Sequence, residues 1–125
     1  METGKKTILI VDDSPLIVKR LIDMLNELEN LEWIKKAGNY SEAVQLITDT
    51  EPNILLLDIN LPDKSGIDIL RITKENNPST RVIMITNQAN EYYRKLCMRL
   101  GADYFIDKTK EFEQIAEIIE TIINH

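Results

Sequence analysis

Asp12 and Asp13 close the first apolar run of this chain, Asp58 closes the third and Lys108 closes the fifth. Carboxylates hold a hard divalent cation, one of them can serve as a nucleophile, and an ammonium neutralises phosphoryl oxygens, so this set has the residue types of metal-assisted phosphoryl chemistry. The set works only if residues far apart in sequence meet. In a parallel α/β sheet all strands end on one edge, which brings strand-end residues into a single crevice.

The pattern between these residues is that of such a sheet. Thr7–Val11 reads TILIV, a β-branched run expected for a strand buried on both faces. Ser14 and Pro15 then supply an N-cap and a first-turn proline for a helix carrying Ile17, Leu21, Met24, Leu25 and Leu28. Leu31–Lys36 is a weaker strand, and Ser41 is expected to cap a helix with Ala43, Val44 and Ile47 inward. Ile54–Leu57, uniformly apolar, predicts a central strand. A loop with Pro62 and Gly66 leads to a helix bearing Ile67, Leu70 and Thr73, which stops near Asn77-Pro78. Arg81–Thr86 is the fourth strand, Tyr92 to Leu100 the fourth helix ended by Gly101, and Tyr104–Ile106 the fifth strand. Phe112, Ile115, Ile119 and Ile122 form the inner stripe of a last helix. Alternating strands and helices predict an open, doubly wound α/β fold, with ligands at the carboxyl ends of the strands.

Composition narrows the function classes. A chain of 125 residues with 43% hydrophobic and 29% charged residues is expected to be one globular domain over residues 1–125. Its opening apolar run is too short, and lacks a small-residue cleavage site, for a secretory signal; no stretch is long enough to span a bilayer. A single Cys97 forms no internal disulfide and, between Leu96 and Met98, reads as helix packing; the expected location is cytoplasmic, with no membrane partner. The net charge of -6 opposes direct nucleic-acid binding. His125 is terminal and a poor phosphotransfer group, Trp33 reads as packing, and no glycine-rich phosphate loop, zinc-ligand spacing or Ser/His/Asp arrangement occurs.

The segments Ile10-Val11-Asp12-Asp13-Ser14, Leu57-Asp58-Ile59-Asn60-Leu61-Pro62 with Gly66, Thr86 at a strand end, and Phe105-Ile106-Asp107-Lys108 together resemble the receiver domains of bacterial two-component response regulators, the CheY-like family. The resemblance runs from about Lys5 to the C-terminus and implies a flavodoxin-like (βα)5 fold with strand order 2-1-3-4-5. It further implies that Asp58 accepts a phosphoryl group from a histidine kinase or histidine phosphotransfer protein, in a phosphorelay rather than as an enzyme with turnover. Mg²⁺ is the implied cofactor, with Asp13, Asp58 and the backbone carbonyl of Asn60 as direct ligands and Asp12 acting through water, since Mg²⁺ takes few protein carboxylates and keeps several waters. Lys108 is the implied partner of the acceptor carboxylate and of the phosphoryl group, and Thr86 with Phe105 the implied switch pair. The region 91–124 would then carry output, to a downstream protein or a second copy.

Simpler readings stand beside these. Asp12 and Asp13 could form an Asx turn or cap ahead of the first helix, although Ser14 already supplies a cap. Thr86 and Phe105 are also ordinary strand residues. A phosphatase of haloacid-dehalogenase type would share the aspartate nucleophile but place a second aspartate two residues later, where this chain has Asn60. A phosphorylation-independent interaction module is the third class. Asn87 after Thr86, Thr109 after Lys108 where proline is common, and a phenylalanine at 105 depart from the commonest receiver pattern.

Overall fold

The computed structural model describes residues 4–87 and 89–124. His125 lies outside them. The elements run β1 (Lys6–Val11), α1 (Pro15–Leu25), β2 (Leu31–Ala37), α2 (Tyr40–Thr50), β3 (Ile54–Asp58), α3 (Gly66–Asn76), β4 (Arg81–Thr86), α4 (Glu91–Arg99), β5 (Tyr104–Asp107) and α5 (Gln114–Ile123). All strand pairings are parallel and the order is β2-β1-β3-β4-β5, as expected from the sequence.

The period of two along each strand sorts the core into layers. Ile8, Ile10, Ile54, Leu56, Ile83, Ile85 and Ile106 face one side, where α1 and α5 cover them with Val18, Leu21, Leu25, Ile115 and Ile119. Leu9, Val11, Leu55, Leu57, Val82, Met84 and Phe105 face the other, under Ala43 and Ile47 of α2, Ile69 and Leu70 of α3 and Cys97 of α4. Two helices on one face and three on the other follow from right-handed crossovers running outward in both directions from β1. The order therefore reverses beside β1. The crevice opens there, above the ends of β1 and β3.

Helix starts are set by short polar side chains. Ser14 accepts from the Ile17 amide at 3.3 Å and Ser65 from Ile67 at 3.1 Å. One start differs from expectation: α2 is capped by Asn39, whose Oδ1 accepts from Glu42 N at 2.9 Å, and Ser41 lies inside the first turn. Asn39 serves because extended backbone precedes Tyr40, whereas Ser41 already has helical neighbours. Gly101, at φ 106°, ends the α4 segment in the left-handed region that glycine enters without strain.

The opposite edge of the sheet is stapled by Asp103. Its carboxylate accepts from Val82 N at 2.8 Å and Lys74 Nζ at 3.0 Å and sits 3.2 Å from Arg81 Nε, while Lys74 Nζ also donates to Thr80 O at 2.7 Å. Because that side chain is only 23% exposed, Asp103→Ala strands the Val82 amide and takes the counter-charge from Lys74, which keeps its bond to Thr80 O. We expect a loss of about 2 kcal/mol in urea denaturation. A loss under about 0.5 kcal/mol, the range of ordinary surface changes, would contradict the staple.

Candidate functional site

Asp12 follows β1 directly, and its backbone amide continues the pairing by donating to Ala37 O at 3.1 Å. Its Oδ1 accepts from Ser14 N at 2.8 Å, which turns the chain into α1. Asp12 thus makes the Asx turn and also points a second oxygen inward, while Asp13 is exposed at the rim. The two readings of the pair divide between the two oxygens of one residue.

Asp58 ends β3 and is 5% exposed. The loop after it is tight: Gly66 N donates to Ile59 O at 2.7 Å, and a Cβ on Gly66 would lie 1.9 Å from the Asp58 carbonyl oxygen. Only glycine allows that approach. An isolated antiparallel bridge joins Asn60 to Ser65, and Asn60 N donates to Asp58 Oδ1 at 3.3 Å.

Lys108 reaches across from β5. Its ammonium donates to Asp58 Oδ2 at 3.1 Å and lies 2.5 Å from Asp12 Oδ2, the latter an ion-pair contact without the angles of a directed hydrogen bond. The structure therefore brings Asp12, Asp13, Asp58 and Lys108 together, as the sequence predicts. Carboxylate oxygens of the three aspartates lie within 4.8 Å of one another. Burial pushes the Asp58 carboxyl above its ordinary range, with the Lys108 charge opposing and the Asp12 charge adding to the shift. Burial also disfavours the Lys108 ammonium, but the Asp12 contact and the charges of Asp58 and Asp12 outweigh it and hold Lys108 above its usual value. Both values rise, which disfavours the Asp58 carboxylate and favours the Lys108 ammonium, because one ammonium serves two carboxylates. A hard, oxygen-preferring cation fits the surplus negative charge of three clustered carboxylates beside one ammonium.

The Lys108–Thr109 peptide is trans. Where proline is the common residue, a side-chain clasp shapes the turn: Asp107 Oδ1 accepts from Thr109 Oγ1 at 2.7 Å, Thr109 N at 2.8 Å and Lys110 N at 3.2 Å. These bonds, the Thr109 hydroxyl first, hold the Asp107 carboxyl below its ordinary range. Lys108 N in turn donates to Thr86 O at 2.9 Å, which ties the end of β4 to the lysine.

Thr86 and Phe105 are both buried, and Phe105 sits opposite Met84 on the face covered by α2, α3 and α4. Tyr104 packs against the other layer, as the strand alternation predicts. Arg94 of α4 lays its guanidinium 4.8 Å from the Phe105 ring centroid and donates to Phe105 O at 3.4 Å. A cation–π contact between two elements has no sequence signature. Of the two tyrosines, Tyr92 is 70% exposed and Tyr93 packs on the core.

Asp63 was not singled out by the sequence. Its position after Pro62 reads as an ordinary loop acid, yet it binds the start of α2: Tyr40 N donates to Oδ1 at 2.8 Å and Ser41 N to Oδ2 at 3.3 Å. The Tyr40 amide, followed by Ser41 and the local loop amides, keeps its carboxyl below the usual range. Cys97 is packing, as expected, with burial pushing its thiol up to about 11. Among the described residues, no helix is long and apolar enough to cross a membrane.

A sequence model of the family described as response regulator receiver domain matches residues 8–120. The chain is similar to the sensory transduction protein LytR of Staphylococcus saprophyticus, 32% identical over 114 residues that make 91% of this chain and 44% of that protein. It is similar to the DNA-binding transcriptional activator EvgA of Escherichia coli, 28% identical over 118 residues, 93% of this chain and 56% of that one. The chain spans about half the length of the curated relatives it matches. Among solved structures, a CheY-like receiver domain protein from Methanospirillum hungatei superposes with a TM-score of 0.85 at 29% identity, covering 96% of this chain and 94% of that chain. The response regulator domain of Thermotoga maritima CheB gives 0.83 at 27% identity, with the same coverage.

Proposed function

The chain belongs to the response regulator receiver domain family, and on that premise we propose that Asp58 is its phosphoacceptor, served by Lys108 and a Mg²⁺ ion, within a two-component phosphorelay. The observation that carries this reading is the single buried ammonium shared by Asp12 and Asp58, beside an exposed Asp13. A carboxylate oxygen of Asp58 attacks phosphorus, the bond from phosphorus to the donor breaks, and a donor imidazole leaves with its electron pair and takes a proton from water. Asp13, Asp58 and the Asn60 carbonyl would hold Mg²⁺ directly and Asp12 through water. When bound, that ion supplies charge neutralisation for the phosphoryl oxygens. Lys108 then exchanges its Asp58 oxygen for a phosphoryl oxygen. The Thr86 hydroxyl follows, and the movement passes to Phe105 and the surface 91–124, where a protein target or a second copy binds.

Asn60 supports this over the haloacid-dehalogenase reading, because an amide two residues after the nucleophile cannot protonate a leaving group. The domain is proposed to catalyse its own phosphorylation and slow loss of the phosphate, and nothing further. The DNA-binding role of EvgA is not assigned to these residues, whose net charge of -6 repels phosphate backbones. The test is incubation with Mg²⁺ and acetyl phosphate followed by intact-mass measurement. A retained phosphoryl group supports the receiver, rapid turnover of phosphate esters the phosphatase, and no change an inert module.

Asp13→Ala should weaken Mg²⁺ binding by on the order of tenfold or more while leaving the Lys108 pairings intact. Titration calorimetry or amide NMR is the appropriate probe. Trp33 pairs with Thr7 near the amino end of the sheet, so its fluorescence is remote from the aspartates. Unchanged Mg²⁺ affinity in Asp13→Ala would place the ion elsewhere.

A further inference from the structure

The Asp63 contacts join the loop after β3 to the helix after β2, and these two segments flank the acidic crevice on one side. Tyr40 and Ser41 are the first residues of α2, so their amides have no partner within the helix. Asp63 takes both at 2.8 and 3.3 Å, and its Oδ1 also accepts from Lys64 N at 3.0 Å. Lys64 Nζ, next along the loop, lies 4.7 Å over the Tyr40 ring. Glu42 N, the next helix donor, is already taken by Asn39, so α2 needs Asp63 for its first two amides only. The far end of the loop is fixed by Gly66 against Ile59 and by the Asn60–Ser65 bridge. Between Asn60 and Asp63 stand only Leu61 and Pro62, and proline fixes its own φ and restricts the residue before it. The position of Asp63 is therefore transmitted to Asn60 through a short and stiff connection.

We infer that Asp63 is a positioning residue for the metal site: by clasping the first turn of α2 it holds the loop so that the Asn60 carbonyl faces the cation, and it makes α2 part of the scaffold that sets Mg²⁺ affinity. The inference rests on the reading of Asp13, Asp58 and Asn60 as the Mg²⁺ ligands. An effect of charge alone is separable from the clasp. Asp63→Asn and Asp63→Ala remove the same charge, but the asparagine Oδ1 still accepts from Tyr40 and Lys64 and gives up only the longer 3.3 Å contact with Ser41 N, whereas alanine accepts from none of the three.

Mg²⁺ affinity by calorimetry, at a temperature where circular dichroism shows both variants folded, is expected to be about tenfold weaker in Asp63→Ala than in Asp63→Asn, the loss typical when a group that orients a ligand is removed. A role confined to stability would shift the melting temperatures and leave these affinities equal. Equal affinities overturn the clasp. Wild-type protein that binds no Mg²⁺ overturns both this inference and the site reading, so the two failures are distinct. If Asp63→Ala does not fold, hydrogen exchange on the wild type decides: by reciprocity of linkage, saturating Mg²⁺ should slow exchange of the Tyr40 and Ser41 amides by about the same factor. Exchange rates there that ignore Mg²⁺ overturn the proposal.

Discussion

Asp58→Asn is expected to take no phosphoryl group from acetyl phosphate in the presence of Mg²⁺ and to melt no lower than the wild type in its absence. The amide conserves the shape of the carboxyl, its one oxygen can still accept from Lys108 while the 3.3 Å contact of Asn60 N with the other oxygen is given up, and the close approach of Gly66 to the Asp58 carbonyl is untouched. It has no charged oxygen with which to attack phosphorus. Labelling should therefore fall to background while the fold persists. The sign of the stability effect follows from the environment of Asp58. Burial raises its carboxyl in the fold, more than Lys108 lowers it, and Asp12 adds to the rise. An acid whose folded value is raised contributes stability below its unfolded value and loses it as pH rises through the folded value. At neutral pH the ionised Asp58 is thus a cost to the metal-free fold, which asparagine does not carry. The variant should melt above the wild type at neutral pH, and the difference should vanish as pH falls below the ordinary range of an aspartate. A labelled variant would refute the acceptor assignment, and one that melts lower at neutral pH would refute the desolvated carboxylate.

The uneven legibility of this protein has physical reasons. Strand order and the two-layered core are written in period-two alternation: Ile8 and Ile10 differ from Leu9 and Val11 only in parity, and that parity sends them to α1 and α5 or to α2, α3 and α4. The site residues are readable because a parallel sheet puts every strand end on one edge, so Asp12, Asp58 and Lys108 needed no contact information to be grouped. What escaped is tertiary capping. Asp63 lies 22 residues from Ser41, and nothing local distinguishes an aspartate that caps a remote helix from one that is solvated. Asp107 hides in the same way, since its three bonds to Thr109 and Lys110 depend on a turn that the residue types permit but do not demand. Ser41 reads as a cap for the converse reason: asparagine, tyrosine and serine stand in a row, and which begins the helix is decided by Asp63 and Asn39 jointly. Arg94 reads as a surface charge because its position on α4 is polar by spacing, while the Phe105 ring that receives it belongs to another element.

Lys108→Ala should separate the chemistry of the site from its signalling. The ammonium is 5% exposed and is the counter-charge to both Asp12 and Asp58, so its removal takes the cluster from three carboxylates and one ammonium, net -2, to three carboxylates alone, net -3. Removing one partner of a buried ion pair destabilises by about 3–5 kcal/mol, and that is the expected fall in metal-free stability at neutral pH. The same surplus charge favours a divalent cation, and relief of about 1 kcal/mol of repulsion should tighten Mg²⁺ by roughly fivefold. Mg²⁺ should accordingly raise the melting temperature of the variant more than that of the wild type. The Asp58 carboxyl, relieved of the opposing influence of Lys108, should move further above its ordinary range, so acid should suppress labelling at higher pH in the variant than in the wild type. Phosphorylation itself remains possible, because the nucleophile and the metal ligands are intact. What is lost is the contact that couples the phosphoryl group to β5. Lys108 N is bonded to Thr86 O at 2.9 Å, and the next strand positions lead to Phe105 under the Arg94 guanidinium, so the lysine links the acceptor to both members of the switch. With its ammonium gone, a phosphoryl group or its beryllofluoride mimic has no hold on that segment, and the equilibrium stays on the resting side. Amide resonances across residues 91–124 should shift with beryllofluoride and Mg²⁺ in the wild type and stay near their metal-only positions in Lys108→Ala. Wild-type shifts in the variant would show that the signal reaches this surface by a route that does not pass through Lys108.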